Sequence, residues 1–489
     1  MARINTNVSS LIAQHNLAKS NADLQVRLQR LSTGLRINSG ADDPAGLIVS
    51  ERLRSETQGI GTAISNAERA TNVIATGEAA LSEVSNLLNS IKSLVIESAN
   101  TGGLSNEEIQ ANQLQIDDAV ASISRIAAST SFAGLKLLNG SLDYVTSGVA
   151  ASAISDVHIY QANFGTNATF PVSVQVINSA QKGALFLSTG ANTLTSSITV
   201  EVAGTKGTQT LQFVSGVALS AVVYAVNSIS DSTGIHASLT SGAGGANTSA
   251  LQFVSSDFGT DAFVSVRKLP GSTGGVFFQT YDDLSGTGNA VQRDTGADVL
   301  ALVNGNLALG KGTTVKLNGP SLNAEFDLTS DFAQTTGTKS FTITGGGATY
   351  QLGPNVQTSQ QISFGIQSVD ASHLGDAVLG FLSSIVSGGA NSLISGYAQG
   401  AGDIIDKAIS QVAVMRGRLG AFESNTLQTN IRSLQTALEN VTSSASQIRD
   451  ADFAAETSNM TRAQLLTTVG TTVLATANSN AQNVLRLLQ

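Results

Sequence analysis

The chain has 489 residues, includes 48 glycines and carries a formal net charge of −9 at pH 7. This negative balance excludes a global electrostatic attraction to nucleic acid or to an anionic membrane surface. The sequence contains no cysteine, which excludes disulfide bonds, thiolate metal ligands and a catalytic thiol.

The N-terminus, MARINTNVSSLIAQHNLAKS, differs from a cleaved secretory signal because polar residues interrupt any apolar core of the required length. No run of the chain approaches the roughly 18 apolar residues of a membrane-spanning helix. We therefore expect no membrane span. If the protein leaves the cell, we expect it to use a route without a cleaved signal.

Apolar residues at heptad spacing predict long helices in the N-terminal part of the chain. A first seam consists of five leucines: Leu17, Leu24, Leu28, Leu31 and Leu35. A second seam extends over residues 60–95. The sequence SNEE at 105–108 is a capping box, in which Ser105 and Glu108 satisfy the first helical turn. A shorter helix should follow it.

The middle of the chain predicts a β-rich region. Residues that favour strands alternate or cluster between turn-forming residues in FPVSVQVIN (170–178), SITVEV (197–202) and SFTITG (340–345). The stretch LSAVVYAVNSIS (219–230) predicts one helix within this region.

The C-terminal part returns to helical spacing. Apolar residues alternate by three and four over 405–422, skip once, and resume over 427–448. A last helical segment carries Leu466, Val469 and Val473. Both ends of the chain are therefore expected to be helical.

The seam of the N-terminal arm, residues 1–43, is thin for its length. Ordering one backbone residue costs on the order of 1–2 kcal/mol, whereas a fully buried leucine returns roughly 1.5–3 kcal/mol. The few leucines of the arm do not offset this cost, even with helical hydrogen bonds. We expect the arms to be weakly ordered in the monomer and to fold against neighbouring copies.

The stretch STGLRINSGADDPAGL, residues 32–47, places two carboxylates in a glycine-rich loop. A ligand loop or acid–base chemistry would need a histidine, a lysine or a third acid at defined spacing, and none is near. A structural interpretation explains the residues better: Asp43 caps a helix, and Pro44 is its first residue. We interpret the stretch as a joint between two helices.

The histidines lie far apart in the sequence and form no metal-binding pattern: His15, His158, His236 and His373. The sequence also lacks a recognisable nucleophile–base constellation. We therefore expect no metal, no cofactor and no enzymatic activity.

Five stretches outside the β-rich middle carry recognisable sequence motifs. They are INTNVSSL (4–11), LQRLSTGLRINSGADDPAGLIVSERL (28–53), SFAGLKLLNG (131–140), SLQTALENVTSSASQIRDADFAAETSNMTRAQLL (433–466) and NVLRLLQ (483–489). Together they resemble bacterial flagellin. In the middle, LSAVVYAVNSISDSTGIHASL (219–239) resembles a motif from the outer regions of flagellins and hook-associated proteins.

The resemblance implies an α+β fold: a long coiled-coil-like helical hairpin core built from both termini, with a β-rich outer module inserted in the middle. It also implies three layers. They are the terminal coiled-coil arms of an inner tube at 1–43 and 449–489, a helical shell with a small β element at 44–175 and 340–448, and a β-rich variable outer region at 176–339. Deletion of about 190–335 would then leave polymerisation intact.

The implied function is that of a structural subunit, exported through the flagellar type III apparatus, which polymerises into the extracellular filament for swimming. Its implied partners are many copies of itself, an export chaperone at the C-terminus, the filament cap and the hook-associated junction proteins, without nucleic acid or membrane. The alternative is a hook–filament junction protein, which shares flagellin-like ends. Copy number in sheared filaments distinguishes the two.

Residues of the arms and the joint are the candidates for subunit contacts. They are Leu24, Leu28, Leu31, Leu35, Arg36, Asn38, Asp42, Asp43, Val473, Val484, Leu485 and Leu488. A charge at a crowded joint is expected to need a partner, so Arg36 should meet a carboxylate of a neighbouring subunit.

Two surface properties have open alternatives. The Ser- and Thr-rich middle fits O-linked glycans, as in many flagellins, and equally an ordinary β surface. Leu88 and Leu94 match the face that flagellins present to an innate immune receptor, Toll-like receptor 5. Ser90, however, stands where activating flagellins carry arginine, and a buried subunit interface explains the same apolar residues.

Overall fold

A computed structural model describes residues 6–165, 167–188, 193–241, 249–270, 279–282 and 289–486. The helices of these residues are α1 (Val8–Thr33), α2 (Pro44–Ser98), α3 (Asn106–Ser129), α4 (Leu219–Asn227), α5 (Ser230–Thr233), α6 (Ser330–Ala333), α7 (Ala398–Ala421), α8 (Gln428–Arg449) and α9 (Phe453–Arg486). Both ends are helical and the middle is rich in strands, which confirms the α+β class.

The strands follow in chain order. They are β1 (Ser131–Phe132), β2 (Leu135–Lys136), β3 (Tyr144–Ser147), β4 (Ile154–Ala162), β5 (Phe170–Asn178), β6 (Ala184–Ser188), β7 (Ile198–Gly204), β8 (Thr208–Phe213), β9 (Ile235–Ser241), β10 (Ser249–Ser255), β11 (Phe263–Lys268), β12 (Arg293–Thr295), β13 (Leu300–Val303), β14 (Asn306–Lys311), β15 (Thr314–Asn318), β16 (Leu322–Leu328), β17 (Gly337–Gly346), β18 (Ala348–Gln351), β19 (Gln361–Phe364), β20 (Gly375–Asp376) and β21 (Gly380–Phe381).

Local sequence signals predicted several of these boundaries. The capping box before α3 is present, with the Ser105 side chain accepting from the Glu108 backbone and the Glu108 side chain accepting from the Ser105 backbone. The predicted skip in the C-terminal pattern coincides with a π-helical turn, Phe422–Leu427, between α7 and α8. Such a turn adds a residue to the helical repeat, so the apolar face resumes in a new register.

The chain forms two compact units. The first comprises Met1–Asn72, Gln351–Gln361 and Phe422–Gln489, and the second comprises Val73–Tyr350 and Ile362–Ala421. These units group the residues differently from the three layers that the sequence implies, and the layers concern positions in a polymer.

The helices of the second unit bury the apolar residues that the heptad spacing predicts. Ile74, Leu81 and Leu88 of α2 are fully buried. The ion pair between Glu78 and Arg416, 2.7 Å apart, links α2 to α7. A periodic apolar seam produces such a row of buried side chains when its helix packs against other elements.

An antiparallel sheet of eight strands forms much of the second unit, in the order β3-β17-β5-β13-β14-β15-β16-β4. Side chains on one face alternate into a core that includes Val174, Phe326 and Phe341. The sheet contains β5 and β17, which extend across the predicted boundaries at 175/176 and 339/340. Deletion of about 190–335 would remove four strands, β13 to β16, from the interior of this sheet. This observation argues against the expectation that the deletion leaves polymerisation intact, which stays a prediction.

Residues 182–296 form an insertion between β5 and β13. Gln181 and Ala297 close its base with two backbone hydrogen bonds, of 2.9 and 3.0 Å. The described part of the insertion has its own apolar core, to which Leu185, Val222 and Phe253 belong. The predicted helix at 219–230 is α4, one wall of that core.

The β1–β2 turn is strained, and its relief is testable. Ala133 has φ 50° and Gly134 has φ 87°, which is a left-handed conformation that costs an L-residue about 1–2 kcal/mol. Asparagine tolerates it better, so Ala133→Asn should raise the free energy of unfolding by about 0.5–1 kcal/mol. Chemical denaturation of the monomer measures this.

The matched control lies in the β13–β14 turn, where Asn304 also has φ 50°. Asn304→Ala introduces the strain that Ala133→Asn removes, and it deletes side-chain hydrogen bonds to Ser173 and Pro171. It should shift the denaturation midpoint to lower denaturant. A lower midpoint for Ala133→Asn would contradict the strain argument.

Candidate functional site

The two terminal helices of the first unit run antiparallel. The Asn7 side chain donates to the Ala477 carbonyl at 2.9 Å, and the Ser10 hydroxyl donates to Asn478 at 2.8 Å. Further along, Gly470 lets α9 approach α1 closely, because a Cβ there would lie 3.2 Å from the Leu17 side chain. The pairing therefore depends on small and polar residues as well as on leucines.

A charge cluster joins the opposite end of this pair. Glu456, with 9% of its side chain exposed, contacts Arg27 and Arg30 at 3.1 Å each. Burial alone would raise the pKa of the Glu456 carboxyl, but the hydrogen bonds from both arginines outweigh burial and lower it. Glu456 is therefore ionised and binds two residues of α1 at once.

The joint between α1 and α2 pairs with the joint between α8 and α9. Leu35 and Asp450 form an antiparallel β-bridge. The Arg36 N–H donates to the Arg449 carbonyl at 2.7 Å, and the Ala451 N–H donates to the Gly34 carbonyl at 2.9 Å. Gly34 has φ 72°, the left-handed conformation that ends α1.

The two aspartates of the joint hold backbone amides, and only Asp43 does so as the predicted helix cap. The Asp43 carboxylate accepts from the Gly46 N–H at 2.9 Å and caps α2, which begins at Pro44. The Asp42 carboxylate accepts from the backbone of Asn38 and Ser39. These hydrogen bonds lower the pKa of the Asp42 carboxyl, and the bond from the Ser39 backbone has the largest effect. The capping interpretation of this stretch is confirmed.

Other predicted contact residues lie at the same joint or along α1. The Arg36 side chain donates to the Ile448 carbonyl of its own chain, so its contact with a neighbouring subunit stays a prediction. The Asn38 side chain donates to the Leu35 carbonyl. Half-buried positions are Leu24, Leu31 and Leu35, whereas Leu28 is 48% exposed.

The C-terminal candidates lie at the far end of α9. Val473 is 50% exposed. Val484 and Leu485 belong to the last helical turn, where side-chain positions are outside the described part, and Leu488 lies outside the described residues. On α2, Leu88 is fully buried and Leu94 is half-buried, so only Leu94 reaches the surface. Receptor recognition stays a prediction.

Exposed apolar side chains line both terminal helices. On α1 they are Val8, Leu11, Ile12 and Leu28, and on α9 they are Phe453, Leu465, Leu466, Val469 and Val473. The neighbouring helix α8 has an apolar face but no fully buried residue. Apolar surface of this extent on paired helices is typical of an interaction site rather than of a finished monomer surface.

The second unit contains a polar cavity of about 370 Å³, lined among others by Asp143, Asp156, His158 and His373. His158 Nε2 lies 3.2 Å from Asp156. Burial opposes the charged imidazole, but Asp156 outweighs burial and raises the pKa of His158. In the described part of the chain, no three His, Asp or Glu side chains are placed to hold a metal ion. The described helices also include none long and apolar enough to span a membrane.

The two helical ends match known families. A model of the bacterial flagellin N-terminal helical region matches residues 4–143, and one of the bacterial flagellin C-terminal helical region matches residues 403–488. B-type flagellin of Pseudomonas aeruginosa is 30% identical over 99% of this chain and 99% of its own length. The chain belongs to the bacterial flagellin family.

Other flagellins match over the same extent. Flagellin B of Helicobacter pylori is 28% identical over 100% of this chain and 99% of its own length. The flagellin of Salmonella choleraesuis is 28% identical over 99% of both. Among solved structures, FliC from Burkholderia pseudomallei has 14% identity over 74% of this chain and 99% of its own, with a TM-score of 0.24. That score is too low to establish a common fold.

Sequence reasoning missed the Glu456 cluster. Arg27 and Arg30 are three residues apart and share a face of α1. In a chain with only 12% charged residues, two arginines on one face of a leucine seam are a detectable signal. Their partner is 429 and 426 residues away, respectively, and local spacing cannot identify it.

Proposed function

We propose that this flagellin is a structural subunit that is exported from the bacterial cell and polymerises into the extracellular flagellar filament used for swimming. The observation that carries the proposal is the row of exposed apolar side chains on α1 and α9. Non-closing contacts between identical subunits generate an open helical polymer. Several neighbours can bury what one chain leaves exposed. The family models and the three relatives above give no support to the hook-junction alternative.

In the filament, residues 1–43 and 449–489 line an inner tube. Residues 44–175 and 340–448 form the surrounding shell, and residues 176–339 face outward. The joint candidates Arg36, Asn38, Asp42 and Asp43 then lie where the inner layer meets the shell, and the leucines of α1 contact neighbouring copies. The density of exposed apolar residues on the terminal helices supports this order.

Further partners follow from the same role. An export chaperone holds the C-terminal segment before assembly, and the filament cap and hook-associated junction proteins contact the ends of the polymer. The subunit has no catalytic activity, cofactor or metal. The Ser- and Thr-rich middle has two alternatives, O-linked glycans and an ordinary β surface. Intact-mass measurement of filaments distinguishes them, because a mass equal to that of the sequence would exclude the glycans.

Hydrogen exchange tests the central proposal. In dilute monomer, amides of α1 and α9 should exchange quickly, because few of their residues are buried. In sedimented filaments the same amides should be protected, and electron microscopy should show helical polymers. Equal exchange in both states, or the absence of polymers, would contradict assembly through these helices.

A further inference from the structure

Three Asn–Gly pairs occur in the sequence: Asn139–Gly140, Asn304–Gly305 and Asn318–Gly319. Such pairs are chemically labile, because glycine has no Cβ to hinder attack of its nitrogen on the preceding side-chain amide. All three asparagines are exposed. Sequence alone therefore ranks them as equals, and any difference must come from the fold.

Asn139 is arranged for this attack. Its Oδ1 accepts a hydrogen bond from the Ser141 N–H at 3.1 Å. This is an Asx turn, which folds the side-chain carbonyl back over the following backbone. The donor points at the oxygen on which negative charge develops when the carbonyl is attacked. The N–H of Gly140, at φ 85°, has no acceptor among the described residues.

The other two pairs are restrained. The Asn304 amide is fixed at both ends to β5, since Oδ1 accepts from the Ser173 N–H at 2.8 Å and Nδ2 donates to the Pro171 carbonyl at 3.0 Å. At Asn318 the nucleophile is occupied, because the Gly319 N–H donates to the Leu322 carbonyl at 3.0 Å. Reaction at either site requires these bonds to break first.

We propose that Asn139 is a spontaneous deamidation site of the folded subunit. The Gly140 nitrogen bonds to Cγ of Asn139 and loses its proton to water, and the Cγ–Nδ2 bond breaks with release of ammonia. Water then opens the resulting succinimide at one of its two carbonyls. The products are aspartate and isoaspartate, so a neutral amide becomes a carboxylate without any oxidant or reductant.

The isoaspartate product has a structural consequence. It adds a main-chain carbon in a short loop that is fixed on both sides, because the Leu138 carbonyl accepts from the Val369 N–H and the Leu142 carbonyl from the Ile366 N–H, at 3.1 Å each. Fully buried Leu137 and Leu138 precede the loop. Aged subunits should therefore carry a more negative and locally altered loop.

Peptide mapping by mass spectrometry tests the proposal on the full-length chain, incubated in mildly alkaline buffer, folded or in denaturant. In the folded chain, Asn139 should deamidate at least about tenfold faster than Asn304 and Asn318, a small part of what one oxyanion donor contributes in enzymes. In denaturant the three rates should converge. Equal rates in the folded chain, or the same ranking in denaturant, would overturn the proposal.

Two variants test whether the fast deamidation occurs at Asn139 and depends on the Ser141 N–H donor. Asn139→Gln should remove the fast acidic product and leave the other two sites unchanged. Ser141→Pro deletes the N–H donor and should slow only Asn139, with circular dichroism as the check on folding. Should Ser141→Pro unfold the chain, the comparison of folded and denatured wild-type chains still decides. An unchanged acidic product in Asn139→Gln would place the reaction elsewhere.

Discussion

Glu456→Gln should prevent filament growth at concentrations where the unchanged chain polymerises. The substitution keeps the side-chain size but removes the charge that binds Arg27 and Arg30. Hydrogen bonds to charged groups contribute about 1.5–3 kcal/mol, which corresponds to roughly a 10- to 100-fold rise in critical concentration. Sedimentation of polymer at a series of subunit concentrations measures it.

Asp23→Asn is the matched control. Asp23 also contacts Arg27, at 3.1 Å, but its side chain is 48% exposed. Exposed pairs of this kind contribute at most about 0.5 kcal/mol, so its critical concentration should stay within about threefold of the original. Equal effects of the two substitutions would show that burial of Glu456 does not matter.

The pH dependence of assembly should change in Glu456→Gln. Because the folded-state pKa of Glu456 lies below its ordinary value of 4.5, its contribution to stability is complete above that value. It is lost as the pH falls through the folded-state pKa. Acid should therefore depolymerise the original filament in part because it protonates the Glu456 carboxylate. Any filaments of Glu456→Gln, assembled at high concentration, should respond less steeply to acid. An identical acid profile would contradict this role.

Replacement of residues 182–296 by a short Asn-Gly linker should leave both folding and polymerisation intact. The two ends of the insertion already meet at the hydrogen bonds between Gln181 and Ala297. Its core is separate from that of the eight-stranded sheet. The contacts that are lost include the packing of half-buried Phe258, the hydrogen bonds of Thr260 to Asp298 and the exposed ion pair between Asp261 and Lys311. Electron microscopy and thermal unfolding of the shortened chain test this, with filaments and a cooperative transition as the expected results.

Deletion of residues 300–328 is the contrasting experiment. It removes fewer residues but takes out β13 to β16, which connect β5 to β4 within the sheet. We expect an insoluble chain, since new strand edges and apolar faces are exposed. An insoluble 182–296 deletion, or a soluble and assembling 300–328 deletion, would contradict the assignment of the insertion.

The regular parts of the fold were predictable because their signals are local. Period and caps identified α2 and α3, and strand composition located β5 at its observed bounds. The extent of the eight-stranded sheet was not predictable, because β13 and β16 pair with β5 and β4, which lie on the other side of a long insertion. Strand order depends on tertiary contacts between distant segments, and periodicity does not encode them.

The candidate site was likewise predictable only where its contacts are local in the sequence. Asp43 and Pro44 form a cap within a few residues, so spacing alone identified their role. The partners of Arg27 and Arg30 come from the opposite end of the chain, as do the backbone partners of Gly34 and Arg36.

The backbone bridge between the two joints can form only in a complete subunit, because its two sides come from opposite ends of the chain. The Arg36 side chain reaches a carbonyl 412 positions further along the chain, and the backbone of Gly34, Leu35 and Arg36 pairs with residues 449–451. A chain whose synthesis stops before those residues leaves these groups without partners and α1 without α9. Truncated copies should therefore be rejected during assembly, so that the folding of the termini serves as quality control for the polymer.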